Sequence, residues 1–155
     1  MKELHIYNPE AIEIELLGVK SEQAGDINKA LSLYKKSIDI CETFTNLYNC
    51  GRVLNALEEY HKSSEYLLKS IKISPHPETY LELGNSYYSL NEIDKAINAW
   101  KSSVDLEPEY LKGLRCLWVI HIETGDDAIA LEYAKEASRL GLEEAEIWLS
   151  QRLYQ

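Results

Sequence analysis

Pro77-Glu-Thr-Tyr80-Leu-Glu-Leu83-Gly84-Asn-Ser-Tyr87-Tyr88-Ser-Leu-Asn91-Glu-Ile93-Asp-Lys-Ala96-Ile-Asn-Ala-Trp100-Lys-Ser-Ser103-Val-Asp-Leu106-Glu-Pro108-Glu-Tyr110 is the stretch that decides the fold. Tyr80, Leu83 and Tyr87 fall on one face at helical spacing. After a turn at Asn91 and Glu92, a second helical pattern runs through Ile93, Ile97, Trp100, Val104 and Leu106. Pro108 stops it, because an interior proline removes a donor and clashes with the preceding turn. The small residues Gly84, Ala96 and Ser103 are expected where the two helices cross. The unit is a helical hairpin with a period of about 34 residues.

The same spacing fits on either side. One copy covers about residues 11–43, with Ile14, Leu17-Gly18, Gly25-Asp26, Ala30 and Tyr34. The next covers about 44–76, with Leu47, Cys50-Gly51, Leu54, Ser63, Leu67 and Pro75. A last copy follows the central one (77–110) over about 111–142, with Leu114, Leu117, Gly125-Asp126, Ala130 and Ala137. Asn8-Pro9 reads as a helix start, since Asn caps and Pro suits the first helical position. Ala145, Trp148, Leu149 and Leu153 carry helical spacing through 143–154, a helix expected to shield the last hairpin from water.

Residues Tyr80, Leu83-Gly84, Tyr87, Ala96, Trp100 and Pro108 closely resemble the signature of the tetratricopeptide repeat family. The resemblance implies an all-α, right-handed solenoid of four hairpins plus a C-terminal capping helix, forming a single domain over residues 1–155. It also implies that the first helix of each hairpin lines a concave wall. The fourth copy departs from the pattern. Trp118 stands where Gly18, Gly51 and Gly84 stand, and Ala134 replaces Tyr34, Leu67 and Trp100. Volume moved from one helix to its partner is the exchange that cores tolerate best, so Trp118 is expected to fill the space over Ala134.

Composition narrows the function. A chain of 155 residues with a net charge of −10 lacks the clustered Lys and Arg that nucleic acid or an anionic membrane surface demands. The start of the chain has no signal-peptide core, and Leu114 to Ile122 is too short and too charged to span a bilayer. Cys41, Cys50 and Cys116 show no CxxC spacing, which suits reduced thiols in a cytoplasmic protein; Cys41 and Cys50 flank one inter-hairpin loop and could approach each other.

Catalytic patterns are missing from the sequence: there is no phosphate loop, GxSxG elbow, HExxH or Cys/His ligand cluster. His121-Ile-Glu123 matches half of a zinc-deaminase motif without its downstream PCxxC, so His121 is expected to be a hydrogen-bonded core residue. The adjacent pairs Glu58-Glu59 and Glu143-Glu144 do not share a helical face and read as solvated helix starts. No metal, cofactor or enzymatic activity is expected.

If first helices form the inner wall, the register exposes Tyr48, Asn49, Arg52 and Asn55 from the second copy. The third contributes Leu81, Glu82, Asn85 and Tyr88, and the fourth Lys112, Arg115, Cys116, Val119 and Ile122. Asn side chains suit an extended peptide backbone, tyrosines offer apolar area with a polar tip, and Arg can hold a carboxylate bidentately. Co-chaperones of this family grip an acidic C-terminal tail with Lys, Asn, Asn, Lys and Arg. The matching positions here are Glu15, Val19, Asn49, Glu78 and Glu82, and a frame shifted by one repeat gives Tyr48, Arg52, Glu82, Lys112 and Cys116. Neither frame restores the clamp. The expected role is a scaffold or adaptor that binds a peptide or protein segment. The alternatives are a small acidic chaperone for a secreted or aggregation-prone partner, and a self-assembling structural subunit.

Overall fold

The computed structural model describes residues 8–153. Leu4, Ile6 and Tyr7 lie outside them, as does Tyr154. Helix starts follow from local chemistry. The Asn8 side chain accepts from the Ala11 amide and Pro9 opens α1 (Pro9–Gln23). Asp26 accepts from Lys29 at the head of α2 (Ile27–Ile40). Thr43 and Asn46 form a reciprocal capping box on α3 (Phe44–Ala56), satisfying two amides that the helix itself leaves bare. The remaining helices are α4 (Tyr60–Ile73), α5 (Pro77–Ser89), α6 (Ile93–Leu106), α7 (Leu111–Glu123), α8 (Asp127–Arg139) and α9 (Glu143–Leu153). Among the described residues there is no strand.

Consecutive helices pair as hairpins, and each second helix packs on the first helix of the next pair, which makes an α-solenoid. The turn inside each hairpin carries one left-handed residue at the same repeat position: Gly25, Glu58, Asn91 and Gly125. Glu58 and Asn91 adopt φ values of 60° and 59° despite their side chains.

In the first three hairpins the mid-helix glycine faces a large side chain of the partner helix, whereas the sequence pattern suggested small residues meeting there. A Cβ on Gly18 would lie 2.7 Å from the Tyr34 ring, and one on Gly51 2.6 Å from Leu67. At Gly84 it would run into the Trp100 indole. Two of the serines three residues after those bulky positions have a second task. Ser37 Oγ donates to the Ala11 carbonyl (2.7 Å) and Ser70 Oγ to that of Phe44 (2.8 Å), tying the second helix to the start of the first. In the fourth hairpin the volumes are exchanged as expected: Trp118, only 5% exposed, shares one buried cluster with Ala130, Ala134 and Ala137. Trp148 of α9 meets its ring edge-on at 5.6 Å.

α9 keeps the register of a first helix. Ala145 is buried at the third position, as are Asn46, Thr79 and Gly113 in α3, α5 and α7. Glu144 bonds back to Arg115 much as Thr45 bonds back to Glu15. At the other end of the stack, Leu17 is 45% exposed although its counterparts Cys50, Leu83 and Leu117 are buried. Among the described residues no hairpin precedes α1 to cover it, so the repeat pattern overstates its burial.

His121 is 4% exposed, so it is in the core as expected, but neither ring nitrogen makes a hydrogen bond. The ring instead stacks on Tyr133 at 5.8 Å, with Nδ1 3.4 Å from the Asp126 carboxylate. The shape of the hairpin turn explains this. Asp126 is held there by its amide, which donates to the His121 carbonyl at 2.8 Å.

Candidate ligand-binding wall

First helices α1, α3, α5 and α7 lie side by side, and polar side chains bridge from each to the next. Asn49 donates to Glu15 (3.0 Å), and Arg52 grips Glu22 bidentately (2.6 and 2.7 Å) while Tyr34 donates to the same carboxylate. Asn55 donates to the Glu82 carbonyl and carboxylate, both at 3.0 Å, and accepts from Ser86 (2.7 Å). Tyr88 donates to Glu123 of α7 at 3.0 Å. These residues were singled out as donors for a ligand. Asn49, Arg52 and Asn55 spend those donors on the neighbouring helix.

Burial and charge set their electrostatics. The Arg52 hydrogen bonds hold the Glu22 carboxyl below the usual range. Half-burial raises that of Glu15, against the lowering effect of Thr45 and Asn49. Burial is also the main cause that raises the Tyr48 hydroxyl, with Glu82 adding to it. Tyr110, just before α7, is raised by burial and then by Glu78, Tyr48 and Glu82, and its hydroxyl is buried without a hydrogen bond.

Two expected wall residues are elsewhere. Leu81 is 8% exposed and belongs to the core seam with Trp100, Leu117 and Ile120, because α5 and α7 approach each other there. Ile122 packs against the Trp118 cluster on the opposite side of α7. Tyr48 is half-buried against the Leu67 and Leu83 cluster. Lys112 and Val119 are exposed, and Arg115 reaches α9, where its Nε donates to Glu144 at 2.8 Å.

Between α5 and α7 the wall opens into a cavity of about 290 Å³. Trp100, Cys116, Val119 and Ile120 form its apolar lining; Asn85, Tyr88, Arg115 and Glu123 stand around them. The Trp100 Nε1–H donates to Asn85 Oδ1 (3.3 Å), which leaves the Asn85 amide hydrogens for another acceptor. The Tyr88 ring is tilted against Trp100 at 5.9 Å, and 42% of Tyr88 is exposed. Burial pushes the Cys116 thiol up to about 11, so it lines the cavity as a neutral group. Trp100, Ile120 and Glu123 were missed as wall residues. Glu123 follows Val119 by one helical turn, a signal present in the sequence; Trp100 reads only as core.

The cavity thus combines an apolar lining with polar and charged groups at its border. Among the described residues there is no group of three or more His, Cys, Asp or Glu placed to hold a metal ion. Among the described residues no helix is long and apolar enough to cross a membrane.

Comparison with known proteins agrees with this architecture. The family model described as tetratricopeptide repeat matches residues 45–77 and 77–110. BBSome complex member BBS4 of Mus musculus is 27% identical over 108 residues, which cover 70% of this chain and 20% of that protein. Anaphase-promoting complex subunit 3 of Dictyostelium discoideum is 30% identical over 94 residues, 59% of this chain and 10% of that one. The chain thus spans about a fifth or less of the length of these curated relatives. A crystal structure of MamA superposes with a TM-score of 0.81 at 22% identity, covering 88% of this chain and 81% of that one. The first repeat domain of Spaghetti (RPAP3), bound to the HSP90 peptide SRMEEVD, superposes with a TM-score of 0.73 at 16% identity, covering 79% and 98%. With glycine–bulky pairs in three hairpins and the mirrored pair in the fourth, the chain carries tetratricopeptide repeats over residues 45–110, flanked by hairpins of the same architecture.

Proposed function

We propose that this chain is a non-catalytic interaction module that holds a peptide or protein segment along the wall of its first helices. The observation that carries this reading is the cavity between α5 and α7, where the exposed Tyr88 and Val119 border an apolar lining. Large rings with a polar tip beside an apolar hollow are what interface anchors use. The Spaghetti domain, of the same fold, is bound to a peptide. Here the acidic tail of such a peptide is disfavoured. Glu15, Glu78 and Glu82 occupy positions where the acid-gripping relatives need donors, and like charges at close range cost binding.

A random twelve-residue peptide display library, selected on the purified chain, tests the reading. Enriched peptides are expected to lose binding to Val119→Asp and Tyr88→Ala and to keep it with Leu17→Asp at the far end of the stack. An empty selection, or peptides indifferent to Val119→Asp, would remove the wall as a binding surface.

A further inference from the structure

The chemistry of the ligand follows from how the wall disposes of its charges. Its two arginines are spent, Arg52 on Glu22 through two hydrogen bonds and Arg115 on Glu144, which leaves the exposed Lys112 at the start of α7 as the remaining cation. Carboxylates remain in excess. Glu78 and Glu82 lie one turn apart on α5, close enough to Tyr48 and Tyr110 to raise both hydroxyls. Glu82 also reaches the field of Cys116, at the floor of the cavity, and Glu123 stands on its rim. Arg115 shares that border, but its charge is offset by Glu144, and apolar walls sharpen the field of the acid excess that remains.

Resting on the reading of this wall as a binding surface, we infer that it takes a basic segment: a bulky apolar side chain enters the cavity between Tyr88 and Val119, and flanking Lys or Arg side chains meet Glu82 and Glu123. The apolar residue covers Trp100 and Ile120 without stranding a polar group, since the one polar neighbour on the floor, Cys116, is a neutral thiol. A cation beside Glu123 also comes against the exposed face of Tyr88, which its hydrogen bond to Glu123 holds in place. The Asn85 amide hydrogens are placed for a backbone carbonyl of the segment.

The test uses two fluorescein-labelled nine-residue peptide pools. Both carry Phe, Leu, Trp or Met at the centre within a Gly/Ser/Ala frame; one has Lys and Arg at the flanking positions, the other Asp and Glu. In fluorescence polarisation on the whole chain, the basic pool is expected to bind at least tenfold more tightly. Its affinity should fall several-fold between low and physiological salt, in Glu123→Gln and Glu82→Gln, and when the central residue is Ala. Glutamine keeps the hydrogen-bonding shape, so loss there reports charge and not unfolding. Equal or tighter binding of the acidic pool, binding indifferent to both glutamine variants, or no binding by either pool would overturn the inference. The display selection judges the wall separately: acidic peptides that depend on Val119 would leave the wall standing and remove the basic ligand.

Discussion

Trp118 shares one buried cluster with Ala134, the reverse of the arrangement one hairpin earlier, where Trp100 of the second helix covers Gly84 of the first. The same interhelical space is filled from opposite sides. Trp118→Ala is expected to cost about 3–5 kcal/mol in denaturant unfolding, since the ring is nearly fully buried. Trp118→Phe should cost under about 1.5 kcal/mol, because the indole N–H it deletes has no hydrogen-bond partner. A loss below about 1 kcal/mol for the alanine variant would show that the ring does not fill the hairpin.

Gly84→Ala is expected to destabilise by about 1–3 kcal/mol, as a methyl there meets the Trp100 indole. In the Trp100→Leu background, which copies the Gly51/Leu67 pair, the same substitution should cost measurably less. Additive costs in that cycle would mean that the two sites do not touch.

Glu58 holds a left-handed conformation that a side chain resists. Glu58→Gly should therefore raise stability by about 0.5–1 kcal/mol, the steric relief exceeding the entropy cost of glycine. Asn91→Gly should gain less, since Asn tolerates this region. Thermal unfolding of the two variants side by side decides it.

The acid limb of stability should carry the mark of Glu22. Arg52 lowers its folded pKa, so its contribution is present above the unfolded carboxylate value of about 4.3 and is lost as pH falls through the folded one. Glu22→Gln should cost about 1–2 kcal/mol near pH 7 and flatten the decline of stability below pH 4. Glu15 runs the other way. Burial raises its pKa, so its contribution is present below the unfolded value and fades as pH rises through the folded one. Glu15→Gln should be neutral or stabilising at pH 7. Unfolding midpoints between pH 3 and 7 that fall in parallel for wild type and Glu22→Gln would contradict this.

His121→Phe should be neutral or stabilising by up to about 1 kcal/mol at pH 7, because two buried ring nitrogens without hydrogen bonds are replaced by carbon. A loss above about 2 kcal/mol would mean that the contact with Asp126 supports the turn.

The hairpins were legible because side-chain volume recurs with the repeat, and Trp118 with Ala134 announces the exception; that Gly18, Gly51 and Gly84 each meet a bulky partner was not, since the pattern set small residues against one another. The turn at Glu58 was not, since nothing in Glu suggests a positive φ; only its alignment with Gly25 and Gly125 betrays it. On the wall, the register placed Val119 and Tyr88 on the surface and misjudged Leu81 and Ile122. A repeat template assigns a face to each position, but the approach of α5 to α7 decides which of those faces stays open. Nor does a template reveal that Asn49, Arg52 and Asn55 are engaged by the helix beside them, because pairing between side chains some thirty residues apart leaves no local trace.

Those bridges have a thermodynamic consequence. Side chains such as Arg52 and Asn55 surrender their rotamer freedom when the stack folds, so an incoming segment does not have to immobilise them. For the proposed peptide ligand, the rungs from Glu15 to Glu123 would act as a fixed ruler, with the spacing of contacts set before it arrives.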